Sequence, residues 1–211
     1  MSPTAAEIAS FHEDEPPAGA DPFVFRRPVA PIVIAEPDPR WPQTAEQVIA
    51  TVRRALGPRC LRIEHVGSTA VPGLPAKPLI DLDLIVARPD RESDYVPALT
   101  AAGFVLSVRE PWWHEHRMFI YDNPDVNLHV FSPSAPEPWK HIILRDHLRA
   151  NPRDRERYAD AKRAAAAAAT AAGERVMEYN ARKETALREI LLRALAAAGC
   201  APEEPAADPR Q

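Results

Sequence analysis

Two aspartates one residue apart in an otherwise apolar run constrain this chain more than any other feature. The run is Ile80-Asp81-Leu82-Asp83-Leu84-Ile85-Val86. Successive side chains of a strand point to opposite faces, so Asp81 and Asp83 share one face while Ile80, Leu82, Leu84 and Val86 take the other. Aspartate is depleted in strands and adjacent like charges repel, so a sheet that keeps this pair bears a repeated cost. A divalent cation between the carboxylates removes the repulsion. Mg²⁺ suits such a pair, because it takes one or two carboxylates and completes its shell with water and substrate phosphate. A solvated face of a half-buried sheet is the plainer alternative.

Upstream, Leu61 to His65 reads as a strand that delivers the turn Gly67-Ser68. Glycine permits close backbone approach, and successive N–H groups beside a hydroxyl can hold a phosphate. Gly67, Ser68 and Thr69 are therefore candidate phosphate contacts, against a turn that uses Gly and Ser for geometry alone. Lys77, in the proline-punctuated loop Val71 to Pro78, either neutralises phosphate oxygens or is a solvated surface charge. His65 either steers a phosphate or satisfies a polar group of the core.

Around this centre the chain divides into four parts: a mobile tail over 1–27, a core over 28–135, a helical region over 136–198 and a second tail over 199–211. The first tail has acidic residues, Pro16-Pro17 and no sustained apolar period. Pro28 to Ala35 reads as a short strand that Pro31 confines to an edge. Ala45, Val48, Ile49, Val52, Ala55 and Leu56 recur at helical spacing before a stop at Gly57. Asp94 to Gly103 reads as a short helix and Phe104 to Val108 as a strand. Arg117 to Tyr121 and Val126 to Phe131 alternate across Asp122-Asn123-Pro124-Asp125, a hairpin signal. In its second arm Val126, Leu128 and Val130 face the core, leaving Asn127 and His129 on the wet face, which Arg117 is expected to share.

Beyond the hairpin, Trp139 to Ala150, Arg153 to Ala172 and Glu174 to Ala198 read as three helices. Arg145 and Arg149 are one helical turn apart, as a phosphate clamp or as a salt-bridged surface. Tyr158 with Lys162 and Tyr179 with Lys183 repeat one spacing that sets ring and ammonium side by side, for base stacking or for bundle packing with a snorkelling lysine. Trp112, Trp113, His114 and His116 form either a lid or purine shelf, or an aromatic clasp between hairpin and helices.

A net charge of −4 and the lack of a long basic stripe argue against a polynucleotide partner. Two cysteines, Cys60 and Cys200, form neither a disulfide framework nor a zinc pattern. No apolar run approaches membrane-spanning length and the N-terminus is not a basic start followed by an apolar core, so a cytoplasmic protein with no membrane partner is expected.

A hydrophobic residue, Gly67 and Ser68, followed by Asp81-Leu82-Asp83-Leu84, resembles the signature of the polymerase-β-like nucleotidyltransferase superfamily. More narrowly, His65 to Asp81 is similar to the hallmark of the GrpB family (UPF0157), small bacterial proteins of that fold. The resemblance runs from about Ile32 to about Leu195, through Val33–Pro42, Asn127–Phe131 and Leu144–Pro152. It implies an α/β (α+β) fold: a small mixed sheet with helices on one face and a C-terminal helical bundle closing a cleft over the other. It also implies transfer of a nucleoside monophosphate from a nucleoside triphosphate to a small acceptor, with Mg²⁺, or Mn²⁺ in its place, held by Asp81 and Asp83. The superfamily places a third carboxylate on a later strand, where this chain has Asn127 and His129. His129 then stands as a metal ligand, a general base or phosphate contact, or a histidine held for structure. Two alternatives stay open: an inactive module that binds a nucleotide or phosphometabolite, and metal-assisted hydrolysis. GrpB-like segments fused to dephospho-CoA kinases suggest a link to coenzyme A metabolism.

Overall fold

A computed structural model describes residues 2–11, 16–28 and 31–200. Its elements in chain order are α1 (Ala5–Ala9), α2 (Trp41–Leu56), β1 (Arg62–Val66), β2 (Ile80–Ile85), α3 (Val96–Ala101), β3 (Val105–Glu110), β4 (His116–Tyr121), β5 (Val126–Phe131), α4 (Glu137–Ala150), α5 (Pro152–Ala172) and α6 (Val176–Ala197). The strands form one mixed sheet in the order β1-β2-β5-β4-β3, in which β2 and β5 run parallel and the other neighbours antiparallel.

The period of two in β2 and β5 separates the two faces of this sheet. Ile80, Leu82 and Leu84 stand beside Val126, Leu128 and Val130 and are buried against Val48, Val52 and Leu56 of α2, Leu99 of α3 and Phe104. Every third or fourth residue of α2 is apolar, so one stripe of that helix meets the sheet. Gly57, at a φ of 55°, ends it.

The opposite face carries the polar members of the same strands and is covered by α4, α5 and α6. Val71 and Leu74 of the loop after β1 pack with Leu148, Tyr158, Ala159 and Ile190, which fastens that loop to the helices. Ala165, Ala166 and Ala169 bring α5 close enough to α6 to enclose Tyr179. Among the described residues no helix is long and apolar enough to cross a membrane.

Two N-terminal segments differ from the sequence expectation. Among the described residues of 28–35 no strand forms, and Ala35 makes an isolated bridge to Ala76; 29–30 lie outside the described residues. Residues 22–25, read as part of a tail, lie along β3: Val24 and Phe25 N–H donate to Ser107 O, and Arg109 N–H donates to Pro22 O. An edge strand leaves a row of unpaired backbone groups, and this segment meets them without needing an apolar period of its own. Residues 12–15 and 201–211 of the two expected tails lie outside the described residues.

Candidate functional site

Because β2 is paired on both sides, its carboxylates are held in a fixed frame. Asp81 stands between Val66 and Asn127, and Asp83 between Glu64 and His129. Asn127 Nδ2 donates to Asp81 Oδ1 at 3.2 Å. His141, reaching down from α4, meets Asp83 Oδ2 through Nδ1 at 2.8 Å. Asp83 is 1% exposed, and its other oxygen, Oδ1, is buried without a hydrogen-bond partner.

The two carboxylates are driven in opposite directions. Burial lifts the pKa of Asp81 above the ordinary value, opposed only in part by the Asn127 amide and the Lys77 charge. Burial acts on Asp83 in the same sense, but the charge and hydrogen bond of His141 hold it below the ordinary value. Burial opposes protonation of His141, yet Asp83 carries it up to about 9. Asp83 and His141 are therefore a charged pair at neutral pH.

A second chain of groups ends at His129. Glu110 Oε2 lies 2.7 Å from His116 Nδ1, and His116 Nε2 lies 3.0 Å from His129 Nδ1. Burial, and then the neighbouring His116, push the pKa of His129 down to about 3, so its ring is neutral. If Nδ1 is the ring nitrogen of His116 that carries hydrogen, donated to Glu110, then Nε2 accepts and His129 donates from Nδ1. The lone pair of His129 is then on Nε2. A carboxylate behind a histidine sets the tautomer of metal-binding imidazoles in this manner.

The turn after β1 presses on the same place. Gly67 has a φ of 69°, and the space above its Cα is filled by Asp81. The Ser68 side chain interacts with the Tyr158 hydroxyl of α5. Arg149 donates to Ala70 O at 2.7 and 2.9 Å, and Arg145 Nη1 donates to His65 O at 2.9 Å, so α4 holds both ends of the turn.

The structure brings Gly67, Ser68, Lys77, Asp81, Asp83 and His129 together and sets the other nominated residues aside. His65 pairs with Leu82 in the ladder and so takes the core side of the sheet, where Nε2 meets Thr69 Oγ1 at 3.0 Å. Thr69 is buried and donates Oγ1–H to Leu79 O, closing the loop. Arg145 is occupied by Glu64, Asp146 and His65 O, a positioning set. Arg117 is on the wrong face altogether: it opposes Val130, and its Nε donates to Glu92 Oε1 at 2.7 Å. A four-residue turn between Tyr121 and Val126 pairs odd residues of β4 with even residues of β5, which puts Met118, not Arg117, beside His129. Trp113 packs on His116 and Phe131 with ring centres 5.1 and 5.9 Å away, as an aromatic clasp.

Sequence reasoning overlooked His141 and the relay role of His116. His116 sat within a cluster read only as aromatic, and nothing local marks His141, whose partner is 58 residues away. Among the described residues no three His, Cys, Asp or Glu side chains form a ready-made metal cage. Of the nominated ligands Asp81, Asp83 and His129, Asp83 has a buried Oδ1 without a hydrogen-bond partner. A buried carboxylate oxygen without a donor is costly unless a ligand supplies one.

The sequence model described as GrpB protein matches residues 31–193. A UPF0157 protein of Halalkalibacterium halodurans is 44% identical over 165 residues, covering 78% of this chain and 83% of that protein. A UPF0157 protein of Streptomyces coelicolor is 41% identical, over 63% of this chain and 69% of its own length. A dephospho-CoA kinase of Mycolicibacterium paratuberculosis is 31% identical over 64% of this chain, but the match spans 40% of the kinase. In fold, the chain is similar to the crystal structure of GrpB from Enterococcus faecalis, with a TM-score of 0.69, 24% identity and coverage of 79% of this chain and 99% of that one. With its matched residues spanning most of its length and carrying the sheet, the turn and the aspartate strand, the chain belongs to the GrpB family.

Proposed function

We propose that this protein is nucleotidyltransferase-like: it transfers a nucleoside monophosphate from a nucleoside triphosphate to a small acceptor, with pyrophosphate leaving, and depends on Mg²⁺ or Mn²⁺. One observation carries the reading: Asp83 presents an unpartnered buried oxygen beside Asp81, on a sheet face against which a Gly-Ser turn is pressed. Asp81, Asp83 and His129 would hold the cation, which supplies charge neutralisation at the phosphate chain. Gly67 lets the backbone lie close to the phosphates, Ser68 offers its hydroxyl and Lys77 its charge. His129, neutral down to a pKa of about 3, suits ligation better than proton abstraction, because so weak a base takes little of a hydroxyl proton. His141, charged beside Asp83, keeps that carboxylate ionised.

A purified-protein assay of pyrophosphate release, with a panel of nucleoside triphosphates and acceptors under Mg²⁺ and Mn²⁺, tests this reading. Turnover that disappears in Asp83→Asn supports it. Absence of turnover with any pairing, while the nucleotide still binds, supports a second reading instead: a module that holds a nucleotide or phosphometabolite without chemistry. That second reading draws on Asn127, an amide where the superfamily pattern asks for an acid, and on the relatives named dephospho-CoA kinase, which suggest a ligand from coenzyme A metabolism.

A further inference from the structure

Lys77, Lys162 and Lys183 come from three separate parts of the chain, the loop before β2, α5 and α6, and converge on two tyrosines. The Lys162 ammonium lies 5.2 Å from the Tyr158 ring centre, that of Lys183 lies 6.0 Å from Tyr158 and 5.4 Å from Tyr179, and that of Lys77 lies 5.8 Å from Tyr179. Both rings are buried, and Lys162 is 2% exposed with an Nζ that has no hydrogen-bond partner. Among the described residues none of the three lysines is ion-paired. The carboxylate whose field reaches all three is Asp81, with Glu184 acting on Lys183 as well.

Packing of a tyrosine with a snorkelling lysine does not account for this arrangement, because a snorkelling lysine ends in water and Lys162 ends in protein. The ammonium groups repel one another: burial first, and then Lys183 and Lys77, bring the pKa of Lys162 down to about 7. A site that turns three lysines toward one shared carboxylate, and leaves the buried Nζ of Lys162 without an acceptor, lacks an anion. Tyr158 marks where that anion sits, since its ring faces both Lys162 and Lys183.

We propose that Lys77, Lys162 and Lys183 form a subsite for a chain of two or more linked phosphates, continuous with the Gly67-Ser68 turn. The lysines are spread over two rings and continue from the Gly67-Ser68 turn, an arrangement suited to linked phosphates, and Asp81 alone does not balance them. The subsite deepens the nucleotidyl-transfer reading, on which it rests for the nucleotide that carries those phosphates; the leaving pyrophosphate would occupy it.

The test is calorimetric titration of the full chain with tripolyphosphate, pyrophosphate, orthophosphate and sulfate, without and then with Mg²⁺, for wild type, Lys162→Met and Lys183→Gln. Lys162→Met keeps an unbranched stem and removes the buried charge, so its melting temperature without ligand is expected to equal or exceed that of wild type. Lys183, partly buried where Lys162 is fully buried, is the milder of the two replacements. The expected result is binding of the two linked phosphates at least about tenfold tighter than orthophosphate or sulfate, with a loss of about tenfold or more in each variant. Equal affinity for all four anions, or unchanged tripolyphosphate binding in both folded variants, overturns the subsite. If tripolyphosphate behaves as expected but no nucleotide releases pyrophosphate, the subsite stands and transfer chemistry falls. If nucleotide turnover is lost in Asp83→Asn but both lysine variants bind and react normally, the subsite falls and transfer chemistry stands.

Discussion

A Cβ placed on Gly67 would lie 2.4 Å from Asp81 Oδ2 and 3.0 Å from Asp81 Cβ, so the turn and the aspartate strand touch through the missing side chain. No side chain fits there unless Asp81 moves, and the positive φ adds its own strain. Gly67→Ala is expected to cost about 1–3 kcal/mol of stability. Metal-dependent nucleotide binding should be lost while circular dichroism still reports the native helices and strands. Unchanged nucleotide affinity in a folded Gly67→Ala protein would separate the turn from the site.

His65, His129 and His141 predict the shape of the stability curve. His141 has a folded pKa of about 9 against an ordinary 6.5, so its contribution is fully present below 6.5 and is lost as the pH rises through about 9. His129 and His65 are displaced the other way, to about 3 and about 4, so the folded form stays neutral where the unfolded chain takes up protons, and stability falls as the pH drops below 6.5. Melting temperature measured against pH should peak near 6.5. His141→Gln is expected to flatten the alkaline limb alone, and a variant that flattens both limbs equally would refute the assignment.

Removing the acceptor behind His129 tests the relay without touching a nominated ligand. His116→Phe keeps a ring beside Trp113 and Phe131 but leaves His129 Nδ1 without its partner, which frees the ring to turn and to change tautomer. Loss of such a supporting partner weakens metal binding by roughly 10- to 100-fold. Mn²⁺ titration followed by electron paramagnetic resonance reads this directly, and nitrogen shifts of the labelled imidazole report the tautomer. An unchanged Mn²⁺ affinity would mean that the relay only fills space.

An imidazole in the donor set also orders the metals. Nitrogen ligands suit Mn²⁺ better than Mg²⁺, which prefers oxygen alone. Nucleotide binding measured by thermal shift is therefore expected to be stronger with Mn²⁺ in the wild type, and His129→Asp should move the preference toward Mg²⁺. A wild type with equal response to both ions, and no change in the variant, would remove His129 from the donor set.

The alternation in Ile80–Ile85 and Val126–Phe131, the turn at Gly67 and the helical spacing of α2 and α4 to α6 were each legible from the sequence, because periodicity states which residues of one element share a face. Asp81, Asp83, Asn127 and His129 accordingly meet on one surface. Periodicity does not state what the neighbouring element brings. Arg117 was assigned to the wet face although the four-residue turn at 122–125 already put it opposite Val130; that error was one of register arithmetic. His141 beside Asp83, Arg145 and Arg149 on the turn, and the meeting of Lys77 with Lys162 and Lys183 had no local signal at all. These contacts depend on where α4, α5 and α6 cross the sheet, and the crossing is decided by apolar packing of Val71 and Leu74 against Leu148, Tyr158 and Ile190, far in sequence from the groups it brings together.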